Sequence, residues 1–408
     1  MLLIAWRNVF RNTRRSTFTA AAIAFAVLLL AFSLSMNAGQ YAAMIDNGTR
    51  LLSGHAQVQA RGYLDDPSMR KVVPEVARLR AAFTAVPGVR NVRARAEGFA
   101  LVSVAEKGFG AQVMGVEPAA ERRHSSLPGM VTQGRYLGAA DAEEAVIGAA
   151  LARNLGARVG SELVVLGTGK EGSVAALALT VVGIVDSGIA ELDRTLVQVP
   201  LDTFRPAFEF ADEASSLVLV FDSPAVDDAM LAVPRERMRA IVPGAELLPW
   251  QRLLPDMVQA IELDRLTNGL FFVLLGAMVV FSIANTFVMT VFERTHEFGM
   301  LIAVGMRPGR LQWLVQLEAL LVCGGGVLAG ALLSLGVVLV LTRVGVPLPG
   351  DVDAMMRRFQ LPDRLYPTLD ASAILLPALM MLVATQVAAA LPTLRVRWLQ
   401  PVAALRGE

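Results

Sequence analysis

Two stretches carry residue types that could do chemistry, and each falls short of the motif it approaches. His296-Glu297 is followed by Met300, where the zinc-protease pattern H-E-x-x-H needs a second histidine. Gly167-Thr168-Gly169-Lys170 ends like a phosphate loop, but position 164 is valine where G-x-x-x-x-G-K needs glycine. Three histidines and a single cysteine, Cys323, leave no disulfide within the chain and no cysteine-based metal site. Catalysis by this chain is therefore not expected, nor a catalytic, cofactor-binding or metal-binding residue. What remains is a charged cluster, Glu293, Arg294 and Glu297, directly after an apolar run, and an isolated acid, Glu318, inside the next run. Charges so placed can hold helices together or pass a displacement between them. An acid within a membrane segment defaults to a functional reading. Close to the interface, Glu318 could equally reach head groups or the arginines near the N-terminus.

The elements that position these charges are long and apolar. The chain is 54% hydrophobic and 18% charged, with mean hydropathy +0.53, which is too apolar for a soluble enzyme of 408 residues. A run of about 20 apolar residues crosses a bilayer. Four runs qualify: 18–40, 266–292, 311–342 and 371–394. Residues 1–17 read as a helix lying in the membrane interface, with Trp6 at the boundary and Arg7, Arg11, Arg14 and Arg15 among anionic head groups. A secretory signal peptide is the alternative, but the following charge-free run, Ser16–Ile45, exceeds its usual ~7–15-residue core. Gly326 and Gly330, spaced G-x-x-x-G, read as a close helix contact in lipid.

Between the first two runs, residues 41–265 are polar and turn-rich, with 23 basic and 28 acidic residues, a net of −5. That excludes a nucleic-acid surface, which needs a basic face. The pattern predicts a split αβ core from 46–116 and 214–260, with a β-rich insertion at 117–213. Strands are expected at 54–59, 89–95, 98–104, 162–166, 176–185, 195–199, 217–221 and 245–248, and helices at 73–86, 149–155 and 226–241. The segments 1–15, 293–310 and 395–408 together carry ten arginines and three acids, whereas 343–370 carries four of each sign. Arginine bias in short segments marks the cytoplasmic side. Both termini and the polar segment 293–310 are thus expected in the cytoplasm, the domain 41–265 and the loop 343–370 in the periplasm, with 395–408 a short basic tail. The fold expected is membrane α-helical, four transmembrane helices with a large α+β extracytoplasmic domain inserted after the first.

At this point the residues resemble a known family. Glu293-Arg294-x-x-Glu297-Phe298-Gly299-Met300-Leu301-x-Ala303-x-Gly305 is similar to the E-R-x-x-E-[IF]-G-x-[LM]-R-A-x-G signature of the FtsX-like, MacB-type (type VII) ABC transporter permeases. Ile302 stands where that signature has a basic residue. Ala5-Trp6-Arg7-Asn8-Val9-Phe10-Arg11-Asn12 resembles the family's opening, Pro401-Val402-Ala403-Ala404-Leu405-Arg406 its close, and Ser53–Gln59 its lipoprotein-releasing branch. The resemblance implies a coupling helix at 293–310, with Glu293, Arg294, Glu297, Phe298, Gly299, Met300, Leu301 and Gly305 serving contact with an ATPase. It further implies ATP and Mg on a separate ATPase dimer, a second permease chain (identical or paralogous), and a periplasmic acceptor as an optional partner. The function implied is release of lipoproteins, or another lipidated or amphipathic substrate, from a bacterial inner membrane by mechanotransmission. A non-transporting regulator of a cell-wall hydrolase and a MacB-like efflux permease are the alternatives.

Overall fold

In the computed structural model, residues 1–11, 13–223, 226–347 and 364–396 are described. Most of the expected loop 343–370 and of the tail 395–408 lies outside them. The chain opens with α1 (Leu2–Arg11) and α2 (Thr13–Gly48), which widens into a π-turn at Thr49–Ser53. Then come β1 (Ala56–Ala60), β2 (Val73–Pro74), α3 (Val76–Thr84), β3 (Val89–Val104), β4 (Lys107–Val116) and α4 (Pro118–His124). They are followed by β5 (Val131–Gly134), β6 (Glu144–Gly148), α5 (Ala149–Leu155), β7 (Glu162–Thr168) and β8 (Val174–Val185). After α6 (Ala190–Thr195), β9 (Leu196–Pro200) and α7 (Leu201–Ala207) stand β10 (Glu213–Ala214), β11 (Ser216–Phe221), α8 (Asp228–Ile241) and β12 (Ala245–Pro249). The chain ends with α9 (Trp250–Leu253), α10 (Pro255–Glu293), α11 (Thr295–Ala303), α12 (Pro308–Val344), β13 (Val346–Pro347), β14 (Arg364–Leu365) and α13 (Ala371–Val396).

Two compact units result, one of residues 1–41, 260–347 and 364–396, the other of residues 42–259, with the cut falling inside α2 and α10. In the first unit, four helices are long and apolar enough to cross a membrane. α10 has 39 residues and α12 has 37; at 1.5 Å per residue each is roughly 55–60 Å long, about twice the ~30 Å hydrocarbon layer. The charge-free run at 266–292 therefore marks only part of α10, whose helix continues through Asp256, Glu262, Asp264 and Arg265 because Pro255 starts it and no later residue breaks it. The bundle core joins Ile23, Val27 and Leu30 of α2 to Phe287 of α10, Cys323 of α12 and Met381 of α13.

Small residues set the approach of α2 and α12. A Cβ on Gly326 would stand 2.7 Å from the Ala20 carbonyl oxygen, and one on Gly330 would stand 2.6 Å from that of Ala24. The glycines let the two backbones touch, as lipid-embedded helices require when no hydrophobic force drives them together. Gly330→Leu is expected to cost about 1–3 kcal/mol through overpacking. Gly336, whose Cβ position has no atom within 4 Å among the described residues, serves as a control. The measurement is the unfolding midpoint of the detergent-solubilised chain: Gly330→Leu should lower it and Gly336→Leu should leave it unchanged.

The second unit is built on one ten-stranded sheet. Its path runs β12-β1-β11-β3-β4-β9-β6-β8-β5, and β7 pairs with both β3 and β8. The strands β3, β4, β9, β6, β8 and β7 therefore close into a ring. Strands of the expected core and of the expected insertion hydrogen-bond to each other, β3 with β7 and β4 with β9. The two strands expected at 89–95 and 98–104 are one, β3: it pairs with β11 over Val89–Arg95 and with β4 and β7 farther on. Gly98 marks no turn; it makes room for Met69 and Phe204, whose atoms would lie 2.8 and 3.4 Å from a Cβ there. The helix expected at 73–86 is confined to Val76–Thr84. Pro74 disfavours helix at the residue before it, and Val73-Pro74 instead pairs with β10.

Candidate functional site

α10 ends at Glu293, and Arg294 (φ −102°, ψ 10°) turns the chain into α11. α11 stops at a glycine-dependent cap: Met306 N–H donates to Leu301 O and Gly305 N–H to Ile302 O, both at 3.0 Å. These are the 6→1 and 5→2 bonds of a Schellman motif. Gly305 takes φ +103°, which a side chain would strain. Pro308 then sits in the first turn of α12, where its missing N–H costs nothing.

Arg294 is the hub of this corner. Its Nε donates to Glu297 Oε2 at 3.0 Å and its Nη1 to Glu318 Oε2 at 2.7 Å, while its guanidinium carbon lies 5.1 Å from the Phe298 ring centre. The other Glu318 oxygen accepts from Asn8 Nδ2 at 2.6 Å. Glu318, 8% exposed, thus ties α12 both to α1 and to the α10–α11 turn. Arg11 Nη2 donates to Glu297 Oε1 at 2.5 Å. Arg15 reaches Glu293 Oε2 and the Thr286 carbonyl, each at 2.5 Å. Burial alone would raise the Glu297 carboxyl, but Arg294 and Arg11 hold it below its ordinary value. A cavity of about 230 Å³ lies among these groups, lined by Asn8, Arg11, Arg15, Glu293, Arg294 and Glu318.

The sequence-derived set separates into three parts. Glu293, Arg294, Glu297 and Glu318 are joined through the chain's own Asn8, Arg11 and Arg15. Of the arginines assigned to head groups, Arg11 and Arg15 instead pair with Glu297 and Glu293, whereas Arg7 and Arg14 are exposed and have no partner among the described residues. Trp6, 53% exposed, lies tilted against Phe10 with ring centres 4.8 Å apart, on a side of α1 that also exposes Leu2 and Leu3.

Phe298 and Gly299 face inward. Phe298 is fully buried in a cluster with Ala5, Val291, Leu311, Leu314 and Val315, and Leu301 and Ile302 pack on its edge. An apolar residue at 302 suits that edge. The outward face is His296, Met300 and Val304, four residues apart in each step, with Met300 46% and Val304 89% exposed. His296, read only as a fragment of a zinc-protease pattern, and Val304 were not among the residues expected at an ATPase contact; the i, i+4 spacing on a helix seated by Phe298 was the available signal. Lys170 of the phosphate-loop fragment ion-pairs with Glu213 at 2.5 Å. Among the described residues no group of three His, Cys, Asp or Glu side chains could hold a metal ion.

Comparison with known proteins agrees with this layout. The model of the MacB-like periplasmic core domain matches residues 16–233, more than half of the chain, and that of the FtsX-like permease C-terminal part matches residues 269–401. The lipoprotein-releasing system transmembrane protein LolC of Neisseria meningitidis serogroup B is 24% identical over 288 residues, covering 68% of this chain and 66% of that one. The macrolide export ATP-binding/permease protein MacB of Bdellovibrio bacteriovorus is 26% identical over 276 residues, covering 64% and 41%. The match thus spans less than two thirds of the length of either relative. Among solved structures, the periplasmic region of MacB from Actinobacillus actinomycetemcomitans covers 51% of this chain and 92% of that one at 15% identity, with a TM-score of 0.38. With a MacB-like core after its first apolar helix and an FtsX-like part carrying the charged corner, the chain belongs to the MacB-type, FtsX-like (type VII) ABC transporter permease family.

Proposed function

We propose that this chain is the mechanically coupled permease subunit of an inner-membrane transporter that releases lipoproteins or another lipidated, amphipathic substrate. ATP and Mg are held by a separate ATPase dimer, and a second permease, identical or paralogous, completes the pair. The observation that carries this reading is the corner built on Arg294. A short helix presents His296, Met300 and Val304 outward and is tied by ion pairs to α1, α10 and α12. A push on α11 would then be shared by the long helices on either side of it, and rigid rods transmit displacement. The name of the LolC relative supports lipoproteins as the cargo. The exposed apolar stripe Leu270, Leu274, Met278 and Phe281 on α10 fits lipid or the second permease.

The test is reconstitution with the cognate ATPase in nanodiscs. Stimulation of ATP hydrolysis by an acylated lipoprotein supports release. Stimulation by a soluble cell-wall hydrolase alone would replace this reading with regulation, and stimulation by a macrolide would replace it with efflux. Val304→Asp is expected to weaken ATPase association about tenfold, while shifting chain stability by less than about 0.5 kcal/mol as an exposed substitution. Undiminished association would take the outward face of α11 out of the mechanism. Tags near Gly110 and near Arg307 should be labelled from opposite faces of the membrane; labelling from one face would remove the proposed topology, with both termini cytoplasmic and the large domain periplasmic.

A further inference from the structure

The second unit contains a polar cavity that the Arg294 corner does not use. It measures about 120 Å³ and is lined by Asp46, Arg50, His55, Arg90, His124 and Asp222. A single water needs only about 10–15 Å³ on a comparable measure, so an anion the size of phosphate can enter. Its walls come from irregular backbone: the π-turn Thr49–Ser53, Gly54 at φ +65°, and a register shift between Val220 and Phe221 on β11. Such departures from regular structure concentrate at functional sites.

The donors converge there. His55 Nδ1 accepts a hydrogen bond from Phe221 N–H at 2.9 Å, so the neutral ring carries its proton on Nε2, which has no partner among the described residues. His124 has none either. Burial, and then Arg93, Arg90, Arg123 and Arg50, hold the His124 ring below its ordinary value. In the lining itself the charges balance, Arg50 and Arg90 against Asp46 and Asp222. Behind the lining Arg93 and Arg123 add positive charge, Arg93 offset by Glu121, and Asp46 is already engaged by Arg50 at 3.2 Å. Metal binding by the two histidines and two aspartates is disfavoured by the same arginines, and these residues do not assemble in a metal-holding geometry.

We propose that this cavity binds a phosphoryl anion, through Arg50 and Arg90 and the ring N–H groups of His55 and His124. The same chemistry is offered by free phosphate and by the phosphate of a lipid headgroup. Asp46 and Arg50 are the first charges after the charge-free run Ser16–Ile45, which puts a headgroup among the sources to be tested. The inference stands apart from the transport reading, since it rests on residues of the second unit alone.

The experiment uses the full chain with its three histidines isotope-labelled, reconstituted either in phosphatidylglycerol nanodiscs or in phosphate-free galactolipid nanodiscs. In galactolipid, added inorganic phosphate is expected to shift the His124 and His55 signals if the free anion binds. If the headgroup binds, the signals in phosphatidylglycerol already sit at the shifted position and added phosphate moves nothing. Arg90→Gln should weaken binding about tenfold by removing one charge-assisted hydrogen bond. Asp222→Asn should tighten it severalfold by removing a competing carboxylate, a gain that misfolding cannot mimic. Histidine signals identical in both lipids and unmoved by phosphate would overturn the proposal, as would an Asp222→Asn chain that binds no better.

Discussion

Glu121→Ala is expected to destabilise the second unit by about 3–5 kcal/mol, because it strips the counter-charge from two buried arginines. Arg93 and Arg95 project from β3 on the side covered by α4, where Val92, Ala94 and Ala96 of the alternate face enter the apolar core. Arg93, Arg95 and Glu121 are 0%, 2% and 0% exposed. Arg95 grips Glu121 with Nε at 2.8 Å and Nη2 at 3.0 Å. Arg93 Nη1 lies 3.2 Å from Glu121 Oε2, outside hydrogen-bond alignment. Burial, and then Arg95 beside it, push Arg93 down to about 10, so it stays charged at neutral pH. Without Glu121 the two cations face each other in a dry site.

The energetic sign of the whole group differs from that of its parts. Two charges removed from water repay their desolvation only in part, so replacing a buried triad with apolar residues of similar size is often neutral or stabilising. Arg93→Met with Arg95→Met and Glu121→Leu should therefore recover most of what Glu121→Ala loses. Limited proteolysis of the full chain against temperature, read in the segment 42–259, checks both variants. A Glu121→Ala chain as resistant as the parent would contradict the account.

The same site sets an acid limit. Burial would raise the Glu121 carboxyl, but Arg95 and Arg93 hold it below its ordinary 4.5. A carboxyl lowered on folding contributes its full stability above 4.5, and that contribution is lost as pH falls through the lower folded value. The deficit of Glu121→Ala against the parent should be constant between about pH 5 and 8 and should shrink in stronger acid.

Arg294→Ala should have the second large effect, about 3 kcal/mol on the helical unit, together with loss of substrate-stimulated ATP hydrolysis in the assembled transporter. It removes both ion pairs that Arg294 makes and leaves Glu318 with Asn8 alone as a partner among the described residues. A cycle of Arg294→Gln and Glu318→Gln isolates the pair: the double variant should lose less than the sum of the singles. Glu297→Lys tests the same corner by charge. It sets a lysine beside Arg11 and Arg294, so stimulation should vanish while the chain still inserts. Intact stimulation in Glu297→Lys would show that the tie between α1 and α11 is not part of force transfer.

Much of this architecture was written in the pattern of residues. Apolar runs of bilayer length, with Glu318 the one charge inside them, determined the four long helices, since burying a charge in lipid is costly. Glycine and proline determined where α11 stops and α12 starts, because a positive φ and a missing N–H act locally. Alternation disclosed most strands of the second unit, and Gly326 and Gly330 announced a close helix contact.

Tertiary structure decided what local pattern cannot encode. β3 reads as two strands until β11, β4 and β7 are seen to pair along its whole length, and pairing partners come from residues far away in the chain. Arg93 and Arg95 look like ordinary exposed charges until α4 brings Glu121 over them. Glu318 could have faced lipid, head groups or an arginine, and only the packing of α1 and the α10–α11 turn against α12 chose Arg294 and Asn8. The physical reason is common to all three: helix ends and bilayer spans are settled by neighbours within a turn or by the solvent, whereas a buried charge is settled by whichever distant group reaches it first with a hydrogen bond.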